Sequence, residues 1–139
     1  MKGSCLCESV EYQLSNFNRK IYQCHCSLCR KQGGSFSNSG AIVPKENLKW
    51  LNGQDKIGTW VKNTGFTSSF CTNCGSLVPN LLKKLEYYWI PVGTLEEDCF
   101  TVVASICLSS KANWATVSPN STKYEDMPDV IEFIKFLSK

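Results

Sequence analysis

Histidine is nearly absent from this chain: one stands in 139 residues, with only two methionines. A catalytic or metal centre built on several imidazoles is therefore excluded. No apolar run approaches the roughly 18 residues of a membrane-spanning helix, which argues against a helical membrane protein. Basic residues exceed acidic ones by only three, 15 against 12, and form no long run, so electrostatic binding to nucleic acid or to an anionic membrane has little support. There is no internal repeat, low-complexity tract or linker, and the five prolines and nine glycines are scattered. The length predicts one domain spanning residues 1–139. The opening "MKGSCLCESV" carries one lysine but no apolar core segment, so no secretory leader is expected there. The thiols are accordingly expected in a reducing, cytoplasmic compartment.

Thiols are what the chain has in excess. Nine cysteines fall in clusters: Cys5 and Cys7; Cys24, Cys26 and Cys29; Cys71 and Cys74; then Cys99 and Cys107. An odd count in a reducing compartment argues against a disulfide framework. Tight clusters of thiolates suit a soft or borderline metal ion such as Zn²⁺.

The intervening sequence reads as mostly β, with seven or eight short antiparallel strands. "SVEYQL" and "LKWL" alternate, and Asn52-Gly53 after the second is a hairpin-type turn pair. "IGTWV", "FTSSF", "YYWIPV" and "FTVVASICL" are rich in β-branched and aromatic residues. Pro91 suggests an edge or a bulge. Two helices are expected. Ser27 is a candidate cap for a short one through Lys31, stopped by Gly33-Gly34. In the last segment Val130, Phe133, Ile134 and Leu137 form one apolar stripe at helical spacing, with Pro128 suited to the first turn.

Cys71-Thr72-Asn73-Cys74-Gly75 is a zinc-knuckle pattern, in which two intervening residues let a tight turn aim both sulfurs at one ion and the glycine permits a positive φ. A redox pair would need a helix beginning at the first cysteine, and none is expected here. Cys5 and Cys7 can supply two more ligands, because residues i and i+2 of an extended segment share a face, with Leu6 pointing into the core. The expected result is a closed site of Cys5, Cys7, Cys71 and Cys74. "CHCSLC" leaves three thiols, Cys24, Cys26 and Cys29. His25 between them points away by the same alternation and is expected to be an outer hydrogen-bond donor or an exposed residue. Three protein ligands leave a fourth position open, the mark of a catalytic rather than a structural zinc.

Gly3-Ser4-Cys5-x-Cys7, Cys24-His25-Cys26-x-x-Cys29-Arg30 and Phe70-Cys71-x-x-Cys74-Gly75-Ser76, in that order, resemble the glutathione-dependent formaldehyde-activating enzyme family, which also contains the centromere protein V-like proteins. "NGQDKIGTW", "VGTLEED" and "SSKANW" add to the likeness, which extends over about residues 3–125. The resemblance implies a zinc-containing β "tent", a structural zinc on Cys5, Cys7, Cys71 and Cys74, and a catalytic zinc on Cys24, Cys26 and Cys29. It also implies a carbon–sulfur lyase that combines glutathione with formaldehyde as the S-hydroxymethyl adduct. One position departs: where the family commonly has histidine, nine residues before the tryptophan, this chain has Ser105.

A three-thiolate zinc carries a net charge near −1 and is suited to holding a further thiolate deprotonated. Arg30 and Lys31 follow the third ligand and are candidates for binding a carboxylate of a peptide thiol; a solvated pair is the plain alternative. Gly33-Gly34 can admit a ligand close to the backbone or simply stop the helix. The four tryptophans, Cys99 and Cys107 are expected in the core, the tryptophans alternatively in a pocket wall. Seven thiolates and two divalent ions subtract three charges from the formal +3, so the metallated chain is near neutral. Three readings remain: a lyase of the thiol–aldehyde type, a zinc enzyme or thiol carrier with another small substrate, and a non-enzymatic zinc module. The sequence carries no signal for an oligomeric state.

Overall fold

Short β-strands joined by turns make up most of the computed structural model, which describes residues 1–139. Two compact units form: Met1–Phe17 with Val43–Asp98, and Asn18–Ile42 with Cys99–Lys139.

In the first unit, β1 (Lys2–Ser4), β2 (Glu11–Leu14) and β5 (Leu48–Asn52) form an antiparallel sheet in the order β1-β2-β5. β6 (Ile57–Val61) pairs with β7 (Thr67–Cys71), and β8 (Asn80–Leu82) with β9 (Tyr87–Pro91), both antiparallel. Pro91 closes β9, where no further ladder donor is needed. Asn52-Gly53 is a turn, but not the expected hairpin: β5 pairs with β2 and β6 with β7. Gly53 has φ 73°, and a Cβ there would stand 1.7 Å from the Ser9 carbonyl oxygen, so the position requires glycine on both counts.

Tyr12 is the largest fully buried side chain of this unit. Its ring meets Trp50 edge-on at 6.0 Å, and Trp50 meets Tyr88 in the same way. Thr94 Oγ1 donates its proton to the Pro91 carbonyl at 2.7 Å, so the Tyr12 hydroxyl is the donor in its 2.6 Å bond to Thr94. Burial drives the Tyr12 phenol well above its usual range.

The second unit is less regular in direction. β3 (Lys20–Cys24) pairs antiparallel with β4 (Asn38–Pro44) on one side and parallel with β10 (Thr101–Ile106) on the other. β10 pairs parallel with the two-residue β11 (Thr122–Lys123). Helix α1 (Ser27–Gly33) follows β3, and α2 (Val130–Ser138) ends the chain. Asp129 caps α2 by accepting from Glu132 N at 3.0 Å, so Pro128 lies before the helix rather than in its first turn. Phe133, Ile134 and Leu137 are buried as their spacing requires, each contributing roughly 1.5–3 kcal/mol by leaving water. Phe133 packs edge-on against Tyr22 at 5.1 Å and Tyr124 at 5.9 Å, which fixes α2 on the sheet.

The tryptophans depart from the core assignment. Trp60 is 55% exposed and Trp114 67%. Trp60 stands on β6, whose last three residues are all exposed, so no second layer covers it.

Candidate metal centres

All nine cysteines are free thiols, and seven of them gather in the two predicted groups. Cys5, Cys7, Cys71 and Cys74 form the first, with sulfurs within 4.8 Å of one another. Cys71 ends β7, and the chain then reverses: Gly75 N–H donates to Cys71 O at 2.8 Å and Cys71 N–H to Ser76 O at 2.9 Å, with Gly75 at φ 79°. This is the expected knuckle. Cys5 and Cys7 arrive differently from expectation. β1 stops at Ser4, and residues 5–8 form a turn closed by Glu8 N–H on Cys5 O at 3.0 Å. The two sulfurs converge because the chain turns, not because it is extended, and Leu6 at the tip is 84% exposed rather than in the core. Ser76 Oγ fixes that tip by accepting from Leu6 N at 2.9 Å.

Cys5 and Cys71 are buried with Val10 and Val78, and Trp50, Ile57 and Cys74 pack against them. Sulfur–sulfur separations are 3.6 Å for Cys5–Cys7 and 3.9 Å for Cys7–Cys71. Tetrahedral zinc with 2.3 Å bonds sets its sulfurs about 3.8 Å apart, so the donor set and its spacing fit such an ion. The thiols are unlike before any ion binds. Hydrogen bonds with Ser9 and Asn73, both at 3.1 Å, hold Cys7 down to about 5. Ser76 brings Cys74 to about 7, whereas burial pushes Cys5 up to about 11. A thiolate is thus available at the rim to meet a cation, and the interior thiols lose their protons once a cation offsets the charge.

The second group is Cys24, Cys26 and Cys29, again mutually within 4.8 Å. Cys24 is the last residue of β3; Cys29 is in α1. Cys26 and not Ser27 caps α1, its sulfur accepting from Cys29 N at 3.3 Å. One side chain therefore serves as both cap and candidate ligand. Gly34 ends the helix at φ 63°. A Cβ on Gly33 would lie 2.0 Å from Asn38 Oδ1, so the space at Gly33 is filled by protein, whereas Gly34 both stops the helix and borders open space. Hydrogen bonding from Cys24 and Cys29 holds Cys26 down to about 2, and the same contacts, with burial, drive Cys24 well up. A negative charge on any one of the three opposes ionisation of its neighbours, an opposition that a divalent cation relieves.

His25 is outside this group, as its alternation predicts. It is not exposed: its accessible surface is 0%, and neither ring nitrogen has a hydrogen-bond partner. Its ring lies stacked 6.0 Å from Phe36, which in turn meets Trp114 edge-on at 5.3 Å. Burial, then the charge of Lys111, lowers its pKa and keeps it neutral. Its backbone N–H donates to Ile106 O at 3.0 Å, tying the cysteine loop to β10.

Arg30 and Lys31 line a cavity of about 240 Å³ with Ser27, Gly34, Ser35 and Trp114. Arg30 Nε is buried without a hydrogen-bond partner. Trp114 thus stands in a pocket wall, the alternative place for a tryptophan, and its exposure is not encoded locally in the sequence. Cys99 is exposed, with Arg19 Nη1 at 2.6 Å from its sulfur, and Cys107 is half-buried beside Cys24; neither is a core residue. Ser105 is fully buried and bonded to the Ser121 hydroxyl at 2.8 Å. No helix is long and apolar enough to cross a membrane.

The family model for the glutathione-dependent formaldehyde-activating enzyme matches residues 1–110. Among solved structures, the chain is similar to a protein of Rhodobacter sphaeroides from a structural genomics effort. The two are 26% identical, with a TM-score of 0.59 over 71% of this chain and 91% of that one.

Proposed function

The chain belongs to the glutathione-dependent formaldehyde-activating enzyme family, and on that premise we propose that it is a zinc-dependent carbon–sulfur lyase joining glutathione, or a similar small thiol, to formaldehyde. The observation that carries this reading is the three-thiol group Cys24, Cys26 and Cys29, whose third member shares α1 with the cationic wall of a cavity. Cys5, Cys7, Cys71 and Cys74 would hold the structural ion, and Cys24, Cys26 and Cys29 would contribute three ligands to the second. Bound there, zinc keeps a coordinated thiol deprotonated at neutral pH.

The chain's own residues do the rest. Arg30, with its orphaned buried donor, and Lys31 bind a carboxylate of the peptide thiol. Ser27, Gly34, Ser35 and Trp114 complete the wall against which it lies. Held this way, the sulfur meets formaldehyde as a neighbour rather than by chance collision. A C–S bond forms, the carbonyl π pair moves to oxygen, and the proton given up by the thiol ends on that oxygen. The reverse step cleaves C–S. Fully buried Ser105, bonded to Ser121, cannot reach a substrate, which favours as a second reading another small substrate on the same scaffold. Nine free thiols suit a reducing, cytoplasmic setting.

The test pairs metal content with adduct formation from glutathione and formaldehyde, measured against the spontaneous rate. Two ions per chain, a rate above background and a raised KM for glutathione in Arg30→Ala are expected. A fully metallated protein that gives only the background rate overturns the lyase reading.

A further inference from the structure

We infer that Cys107 is a fourth thiol of the second site, closing the ring of Cys24, Cys26 and Cys29 around an ion and yielding its place to an incoming thiol. This rests on the reading of those three as metal ligands. The sheet brings Cys107 there. β10 runs parallel to β3 with Ile106 opposite Cys24, and the His25 N–H bond to Ile106 O extends that register by one step. Cys107, next along, emerges where the ring begins.

Its backbone then leaves the sheet abruptly. Cys107 sits at φ 58°, ψ 42° and begins a 3-10 turn, Leu108–Ser110, with its carbonyl accepting from Ser110 N at 3.1 Å. For a residue that is neither glycine nor asparagine this conformation costs on the order of 1–3 kcal/mol and persists only when its surroundings dictate it. The thiol is half-buried, and the sulfur of Cys24 interacts with it directly while the charge of Cys26 reaches it. Cys107 in turn acts on Cys29. It lies beside Cys24 yet outside the set whose sulfurs lie mutually within 4.8 Å.

Zinc takes four ligands. Three of these come from one six-residue segment, and the fourth comes from a separate strand, so the fourth is the one that can leave without disturbing the others. With an ion held there, Cys107 would take up the proton of an incoming thiol as that thiol replaced it among the ligands. Ring charge is unchanged, so no charge is left uncompensated in a half-buried site.

Cobalt(II) placed in the second site, with zinc kept in the first, reports thiolate number through its sulfur-to-metal absorption. Wild-type protein is expected to show four thiolates and no gain on adding glutathione. Cys107→Gly, which suits the positive φ while removing the thiol, is expected to lose about a quarter of that absorption and regain it with glutathione. Cys107→Ala serves as the companion variant, and thermal melting reports folding. A Cys107→Gly band as strong as that of wild type overturns the role of Cys107 while leaving the second site standing. Failure of the wild-type chain to take a second ion overturns both.

Discussion

Cys71→Ser tests the closed cluster at its most buried point. The Cys71 side chain has no accessible surface, and its sulfur lies 3.9 Å from that of Cys7. Serine offers a shorter, harder and scarcely acidic oxygen, so the ion is lost. Free zinc at a thousand times its dissociation constant stabilises a native site by about 4 kcal/mol. A buried hydroxyl left among sulfurs and valines costs a further 1–3 kcal/mol or so. With about 2.1 cal/mol/K of unfolding entropy per residue, 139 residues convert the combined loss of ~5–7 kcal/mol into a fall of roughly 20 °C in Tm. Thermal circular dichroism of both proteins, with and without chelator, makes the comparison. Wild type should fall by about 14 °C when stripped, whereas the variant should start low, or be insoluble, and ignore the chelator. A soluble Cys71→Ser protein that melts with wild type and keeps two ions refutes the reasoning.

Cys26→Ser should lose one ion and all thiol-dependent activity yet stay folded and melt above Cys71→Ser, because serine is itself a good helix cap in place of the Cys26 sulfur and leaves the thiol cluster of the first unit undisturbed; an unchanged ion count would sink the second site. Tyr12 makes stability fall at alkaline pH. Its native pKa is raised, so above about pH 10 the unfolded chain loses this proton first, binds fewer protons, and gains on the native state. Urea titrations from pH 8 to 11 should show this slope in wild type and a flatter one in Tyr12→Phe, and equal slopes would contradict it.

The two thiol clusters were legible because cysteines at one or two residues' remove announce themselves whatever the backbone does. The route by which they converge was not. Cys5-Leu6-Cys7 reads equally as strand or turn, and what selects the turn is the Ser76 hydroxyl, 70 residues away. The apolar stripe of α2 was readable for the same reason that Phe133 is buried: period and packing agree. The parallel pairing of β10 with β3 has no local signature, since nothing in "FTVVASICL" states which way its neighbour runs. Cys107 was obscured by that omission, for its neighbourhood with Cys24 exists only through the register of those two strands. Ser27 looked like the better cap by residue type, but the cap is set by where the chain leaves β3, and that point is Cys26.

The separation of 64 residues between Cys7 and Cys71 gives an ion at the first cluster a role beyond coordination. It ties two distant parts of the chain as a disulfide would, and a covalent link of that span restricts the unfolded chain by about 4 kcal/mol. A disulfide of this kind does not survive among cellular reductants. A thiolate–metal link does, but it opens whenever the ion is withdrawn. An ion held there would therefore tie the lifetime of the folded protein to metal supply, with unfolding and proteolysis following its loss.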